Sequence, residues 1–431
     1  MPSTKVTPSC RRAPPRARSL FAALLLTSVS AYAQETPVTL DAALQAATDR
    51  SAAMGAAQAS VRASSEAAVR AGQLPDPTLK AGVDNLPVTG PQKYTIGQDF
   101  MTMRRIGIEQ EWVSGDKRRL RSELANDLVD RERAGYLGQL ANTRQQTAIA
   151  WLGAVYAKKG VSLQRQLVEH MTHELDATKA SYRGAKATAA DVTQAQAMLA
   201  QTQDQLLKAQ QTLQTALIGL SRWTATPVSD VTGEPPAPQS YVSSLPPEEL
   251  REVQPVLVAA SRDIAVADAD TAVANSNRSP NWTWEVAYQQ RGGAYSNMVS
   301  VGVSIPLPIN RKNRQDRDAS EKAELATRAR LMYEDAQRQV EADIRTESAT
   351  LASGRERITS LSNSLLPAAG QRVQLAAAAY RAGTGSLADT FAARRAQLEA
   401  ELQVLDLQRD VSQTWAQLEY QVVPASMSVG Q

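Results

Sequence analysis

Residues 282–289 read Trp-Thr-Trp-Glu-Val-Ala-Tyr-Gln, and residues 299–307 read Val-Ser-Val-Gly-Val-Ser-Ile-Pro-Leu. Both alternate apolar residues with polar or small ones, the period-two pattern of a strand buried on one face. Trp282, Trp284, Val286, Tyr288, Val299, Val301, Val303 and Ile305 fall on the apolar side. Between the runs, Arg291-Gly292-Gly293-Ala294 reads as a turn. Each run is about 8–11 residues long, the length of a tilted strand that crosses a membrane. The eight apolar side chains are therefore expected to face lipid.

The same organisation occurs earlier in the chain. Leu79, Ala81 and Val83 alternate, Ile106, Ile108 and Trp112 share a face, and the polar stretch from Asn85 to Met101 makes a longer loop. Ile106-Gly107-Ile108 matches Val301-Gly302-Val303 at an offset of 195, which Lys117 and Lys312 keep. Tyr182-Arg183 and Asp191 match Tyr380-Arg381 and Asp389 at an offset of 198. So small a drift marks a duplication. The expected boundaries are a first unit at 34–225, a Pro- and Ser-rich linker at 226–247, a second unit at 248–421 and a tail at 422–431.

Four strands cannot close a barrel, and an open strand edge cannot sit in lipid. An ordinary hairpin packed on a soluble core is the plainer alternative, but nothing else in the chain is rich enough in β-residues to receive it. Three copies would give a 12-stranded barrel.

Helices account for the rest. From Lys117 to Lys179 there is no proline, on the order of 90 Å of helix. Val192, Ala195, Leu199, Thr202, Leu206, Ala209, Leu213, Ala216 and Leu220 follow 3-4 heptad spacing, which predicts burial of Leu199, Leu206 and Leu213 between helices. Leu387, Phe391, Leu398, Leu402, Leu405 and Trp415 repeat the theme more loosely, and Pro367 is expected to interrupt the second long helix.

Lys5, Arg11, Arg12, Arg16 and Arg18 precede an apolar run from Leu20 to Val29 and the small-x-small triplet Ala31-Tyr32-Ala33. This reads as a signal peptide over 1–33, of the general secretory rather than the twin-arginine kind. Cys10, the single cysteine, lies upstream of the apolar run rather than at the cleavage point, which argues against a lipid anchor. Cleavage leaves no thiol for disulfide, catalytic or metal chemistry. It also turns a net charge of +3 into 42 basic against 44 acidic residues, and nothing points to nucleic acid. No cofactor is called for. His170 and His173, three apart beside Glu169 and Glu174, read as a solvated helix face rather than a metal site. No catalytic constellation and no phosphate loop can be assembled, so an enzyme is not expected.

In its whole-chain order, and in Tyr380-Arg381-Ala382-Gly383 followed by Asp389, the chain resembles the TolC-like outer-membrane efflux family. The resemblance implies a mainly α fold with a small β part: a duplicated helix–β-hairpin–long-helix unit, trimerised into a 12-stranded barrel and a coiled-coil tunnel across the periplasm. It implies a passive channel in the outer membrane of a Gram-negative cell. Its partners would be a periplasmic adaptor and an inner-membrane pump of the resistance-nodulation-division type. It places Tyr182, Arg183, Asp191, Tyr380, Arg381, Gly383 and Asp389 at the periplasmic tip or gate. A packing role for Tyr380 and an N-cap role for Asp389 are the alternatives. The first copy departs from the pattern, with glycine at 184 rather than 185, and Gly385 stands where relatives often carry a gating arginine. Asp99 to Arg105 and Gly107 to Glu111 look most like the heavy-metal-cation branch, with drugs or organic solutes as the other cargo. A periplasmic coiled-coil adaptor without a pore is the rival from a different class.

Overall fold

The computed structural model describes residues 37–424, so the expected signal peptide at 1–33 and the end of the tail lie outside the described residues. The elements occur in one order twice. Helices α1 (Leu40–Arg50) and α2 (Ala52–Ala71) lead to strands β1 (Thr78–Asp84) and β2 (Met103–Trp112), then to α3 (Gly115–Arg183) and α4 (Ala189–Thr224). Helices α5 (Pro247–Val253) and α6 (Pro255–Ser276) lead to β3 (Trp282–Gln290) and β4 (Met298–Ser304), then to α7 (Gln315–Arg381) and α8 (Leu387–Tyr420).

Local signals start these helices where they start. Thr39, Ser51 and Ser114 each accept a bond from a backbone N–H three residues on, satisfying one of the free donors of a helix N-terminus. α3 has 69 residues and is about 100 Å long. It is the trunk of the molecule, packing along α1, α2, α4, α6 and α8, while α7 packs along α6 and α8.

Pro367 does not interrupt α7, which runs unbroken for 67 residues. The proline removes the N–H that would reach the Asn363 carbonyl, and the helical order on either side carries through that single loss. Along α4 every sequence-derived heptad position is buried or half-buried. Ala195, Thr202 and Leu220 are the buried ones, whereas Leu199, Leu206 and Leu213 are only half-covered. Leu217, which lies outside the heptad positions, is buried beside Leu220.

The main core lies midway along the bundle, where Trp151, Leu152, Leu220, Leu257 and Leu418 are fully buried. The segment between α4 and α5 crosses it. Trp151 donates its indole N–H to the Val38 carbonyl at 2.9 Å, and Trp415 donates to the Gln239 carbonyl at 2.9 Å. Val38 bridges Val231 in parallel, and Lys158 holds Asp230 at 2.7 Å. Val422 and Val423, which the sequence assigns to the tail, are buried, and Val423 bonds back to the Val253 carbonyl.

The two hairpins join into one antiparallel sheet of order β1-β2-β3-β4. Its register stacks Leu79, Ile108, Val286 and Val301 in one cross-strand row and Ala81, Ile106, Tyr288 and Val299 in the next. Trp112 faces Trp282, with ring centroids 5.9 Å apart. This apolar side lies open: Val301 is 73% and Leu79 69% exposed. Ile305, placed in the strand by its alternation, lies one residue beyond the end of β4 and is also exposed.

Replacing Leu220 with alanine deletes a wholly buried side chain at the mid-bundle core. The expected loss is about 2–5 kcal/mol, seen as an earlier unfolding transition by circular dichroism.

Candidate channel face and tip

The two helix turns far from the sheet are built alike. α3 ends at Arg183 and α4 begins after Thr188; α7 ends at Arg381 and α8 begins after Ser386. Thr188 and Ser386 are the N-caps, each accepting from the aspartate N–H three residues on, at 3.2 and 3.1 Å. The carboxylates return the bond: Asp191 accepts from the Thr188 N–H at 2.8 Å, and Asp389 from the Ser386 N–H at 3.2 Å. Both hydroxyls donate to the same carboxylate oxygens.

Asp389 is thus the third helical residue of a capping box and not the N-cap itself. The Thr188-x-x-Asp191 and Ser386-x-x-Asp389 spacings carry that signal in the sequence. Hydrogen bonds from Thr188, first its backbone and then its side chain, hold the Asp191 carboxyl below the ordinary range; the Ser386 hydroxyl and N–H do the same for Asp389. Asp389 is exposed and Asp191 half-exposed, and both are ionised at neutral pH.

Gly383 has φ +75°, the left-handed conformation that ends many helices. The equivalent residue in the first copy is Ala185 at φ +57°, while Gly184 sits at φ −87°. The misplaced glycine therefore changes which residue bears the strain and leaves the shape of the turn unchanged. At Gly385 a Cβ would lie 2.9 Å from the Ala379 Cβ, so an arginine there would force a shift of the turn.

A small core draws the two tips together. Met171 and Leu175 of α3, Ala195 of α4, and Leu387 and Phe391 of α8 are buried in one cluster, with Tyr380 and Val192 against it. Tyr380 therefore packs, whereas Tyr182 is 51% exposed and Arg183 is exposed. Arg381 bonds its own helix at the Ala377 carbonyl. Glu174, which the sequence places on a solvated helix face, is instead largely covered, its carboxylate 3.5 Å from the Arg394 guanidinium across the α3–α8 contact. Desolvation pushes the Glu174 carboxyl upward, against the opposing pull of Arg394 and then His170.

His170 and His173 are exposed; His173 lies 4.0 Å from Glu169. Among the described residues no cluster of three or more His, Cys, Asp or Glu side chains could hold a metal ion, and no helix is long and apolar enough to cross a membrane.

Residues 43–226 and 247–420 match the family model described as outer membrane efflux protein. The chain belongs to the outer membrane efflux protein family. It is an outer-membrane protein whose helices form the periplasmic part of a TolC-like fold. It is 24% identical over 380 residues to the cobalt-zinc-cadmium resistance protein CzcC of Cupriavidus metallidurans, covering 86% of each chain. Among solved structures it is similar to the outer-membrane channel OprN, with 19% identity, a TM-score of 0.75 and 89% of each chain covered. It is also similar to CusC, with 14% identity and a TM-score of 0.72, covering 88% of this chain and 91% of that one.

Two measurements probe the tip. Ala185→Gly relieves a left-handed alanine and is expected to raise stability by about 1 kcal/mol in chemical denaturation, with Gly383→Ala costing a similar amount. Because the folded state holds the Glu174 proton more tightly than the unfolded chain, the group's contribution is complete at low pH. It is lost as pH rises from about 4.5 through the raised folded value. Glu174→Gln is expected to flatten the fall of melting temperature with pH in that window.

Proposed function

We propose that three copies of the chain close a 12-stranded barrel in the outer membrane and continue as an α-helical duct that exports heavy-metal cations. The observation that carries this reading is the sheet: one exposed apolar face, and two edge strands without partners among the described residues. In lipid each edge must find another strand, and β4 of one copy can pair with β1 of the next. Trp282, Trp284, Val286, Tyr288, Val299, Val301, Val303 and Ile305 then face lipid, joined by Leu79, Ile106 and Ile108 from the first hairpin.

Cargo is inferred from the resistance protein CzcC, which is similar over most of both chains. The duct is passive. A periplasmic adaptor and an inner-membrane pump of the resistance-nodulation-division type would supply substrate and energy. At the tip Asp191 and Asp389 would stand as rings of carboxylates that favour cations, with Tyr182, Arg183, Tyr380, Arg381 and Gly383 shaping the entrance.

Detergent extraction of the outer-membrane fraction, mass determination and planar-bilayer recording test the duct. A trimer with discrete conductance steps is expected, and a soluble, non-conducting protein would overturn the reading. Cargo is tested by deletion, which should raise sensitivity to cobalt, zinc or cadmium and leave drug tolerance unchanged. Val301→Lys puts a charge on the lipid side and is expected to cost barrel assembly about 2–4 kcal/mol near mid-bilayer. Asp389→Asn in an assembled trimer is expected to lower cation selectivity; an unaltered channel would leave Asp389 with its capping-box role alone.

A further inference from the structure

Opposite the apolar face, the sheet carries a chain of charges that alternates in sign across three strands: Glu109, Lys80, Glu285, Arg105, Asp84. Lys80 contacts Glu109 directly and lies 3.8 Å from Glu285; Arg105 contacts Glu285 directly and lies 3.8 Å from Asp84. Register makes this arrangement necessary. Glu109 and Glu285 sit directly opposite each other on β2 and β3, a like-charge cross-strand pair that is unfavourable on its own. Lys80 and Arg105 flank the pair and reach into it.

Room for them comes from the next row, where Gly107 faces Ala287. A Cβ at position 107 would lie 2.7 Å from the Ala287 Cβ, so the floor beneath Lys80 is flat backbone. The five groups are 23–41% exposed on their side chains, within reach of water.

We propose that Lys80 and Arg105 are the selectivity-setting residues of the barrel lumen. They serve as built-in counter-ions that keep three acidic side chains per copy from retaining the multivalent cations that pass. This rests on the barrel reading, in which the apolar face meets lipid and the charged face lines the pore. An uncompensated ring of carboxylates attracts cations but also holds them, and conduction needs binding weak enough for release. With both bases present the five-residue chain carries one net negative charge, so the lumen favours cations mildly. Losing either base leaves a free carboxylate in each of three copies.

The test is reversal potential across a potassium chloride gradient in planar bilayers, followed by titration with cadmium chloride. Lys80→Gln and Arg105→Gln are each expected to raise the potassium-over-chloride permeability ratio at least about twofold, the effect of one added charge about 10 Å from the ion path. Both should also lower the cadmium concentration that blocks current. Glu285→Gln should shift the ratio the other way. The paired swap Lys80→Glu with Glu109→Lys keeps net charge and should keep the wild-type ratio, which separates charge from folding effects. The two single variants are read independently, so poor assembly of one leaves the other as the test. Wild-type reversal potentials and cadmium block in every conducting variant would overturn the proposal while leaving the channel intact. A wild-type protein that does not conduct would overturn the channel reading and this proposal with it.

Discussion

A strand edge is a row of backbone N–H and C=O groups that must be hydrogen-bonded, and this sheet of four strands has two such edges, on β1 and β4. In water the solvent satisfies them; in hydrocarbon only another strand can. The exposed apolar face favours entry into a membrane, and the edges forbid entry alone. The trimer proposed above resolves the conflict by symmetry, since each copy offers the edge its neighbour lacks. It also explains why the sheet has so little of its own core: only Ala287 among the residues of β3 is fully buried.

The helical part answers a different demand, that of holding about 100 Å of chain straight with few apolar residues to spare. α3 does this by touching five other helices along its length. The seams are thin. Of the 36 residues of α4 only Ala195, Thr202, Leu217, Leu220 and Thr224 are buried, and fuller packing is confined to mid-bundle and to the tip. Between these two cores Leu206 is only half-covered and Leu207 is exposed. Such surface is free to be covered by neighbouring copies in a closed tunnel.

The strands were legible because period-two alternation survives wherever one face must be apolar and the other polar. The heptads of α4 were legible for the same reason, since every position falls on the buried or half-buried side of the helix. Single-residue chemistry was harder. Pro367 suggested a break because proline removes a donor, yet 67 residues of helix outweigh one missing bond. Gly184 drew attention as a turn residue, whereas the left-handed position belongs to Ala185, one residue later. The five-charge chain on the sheet could not be read at all. Lys80 meets Glu285 only because β2 lies between their strands in one particular register, and sequence separation gives no hint of that.

At the tip, local and long-range bonding divide the labour. Asp191 and Asp389 direct their carboxylates to the N-terminus of their own helix, so neither binds the two halves of the chain together. That coupling falls to Phe391 and Leu387, which sit among α3 side chains, and to Arg394 against Glu174. A turn whose polar groups are satisfied within itself keeps its shape when its surroundings change. Motion at this end would therefore carry α7 and α8 as stiff rods past α3 and α4. The resistance to it would come from one small apolar cluster and one half-buried ion pair, with the turns moving as rigid ends.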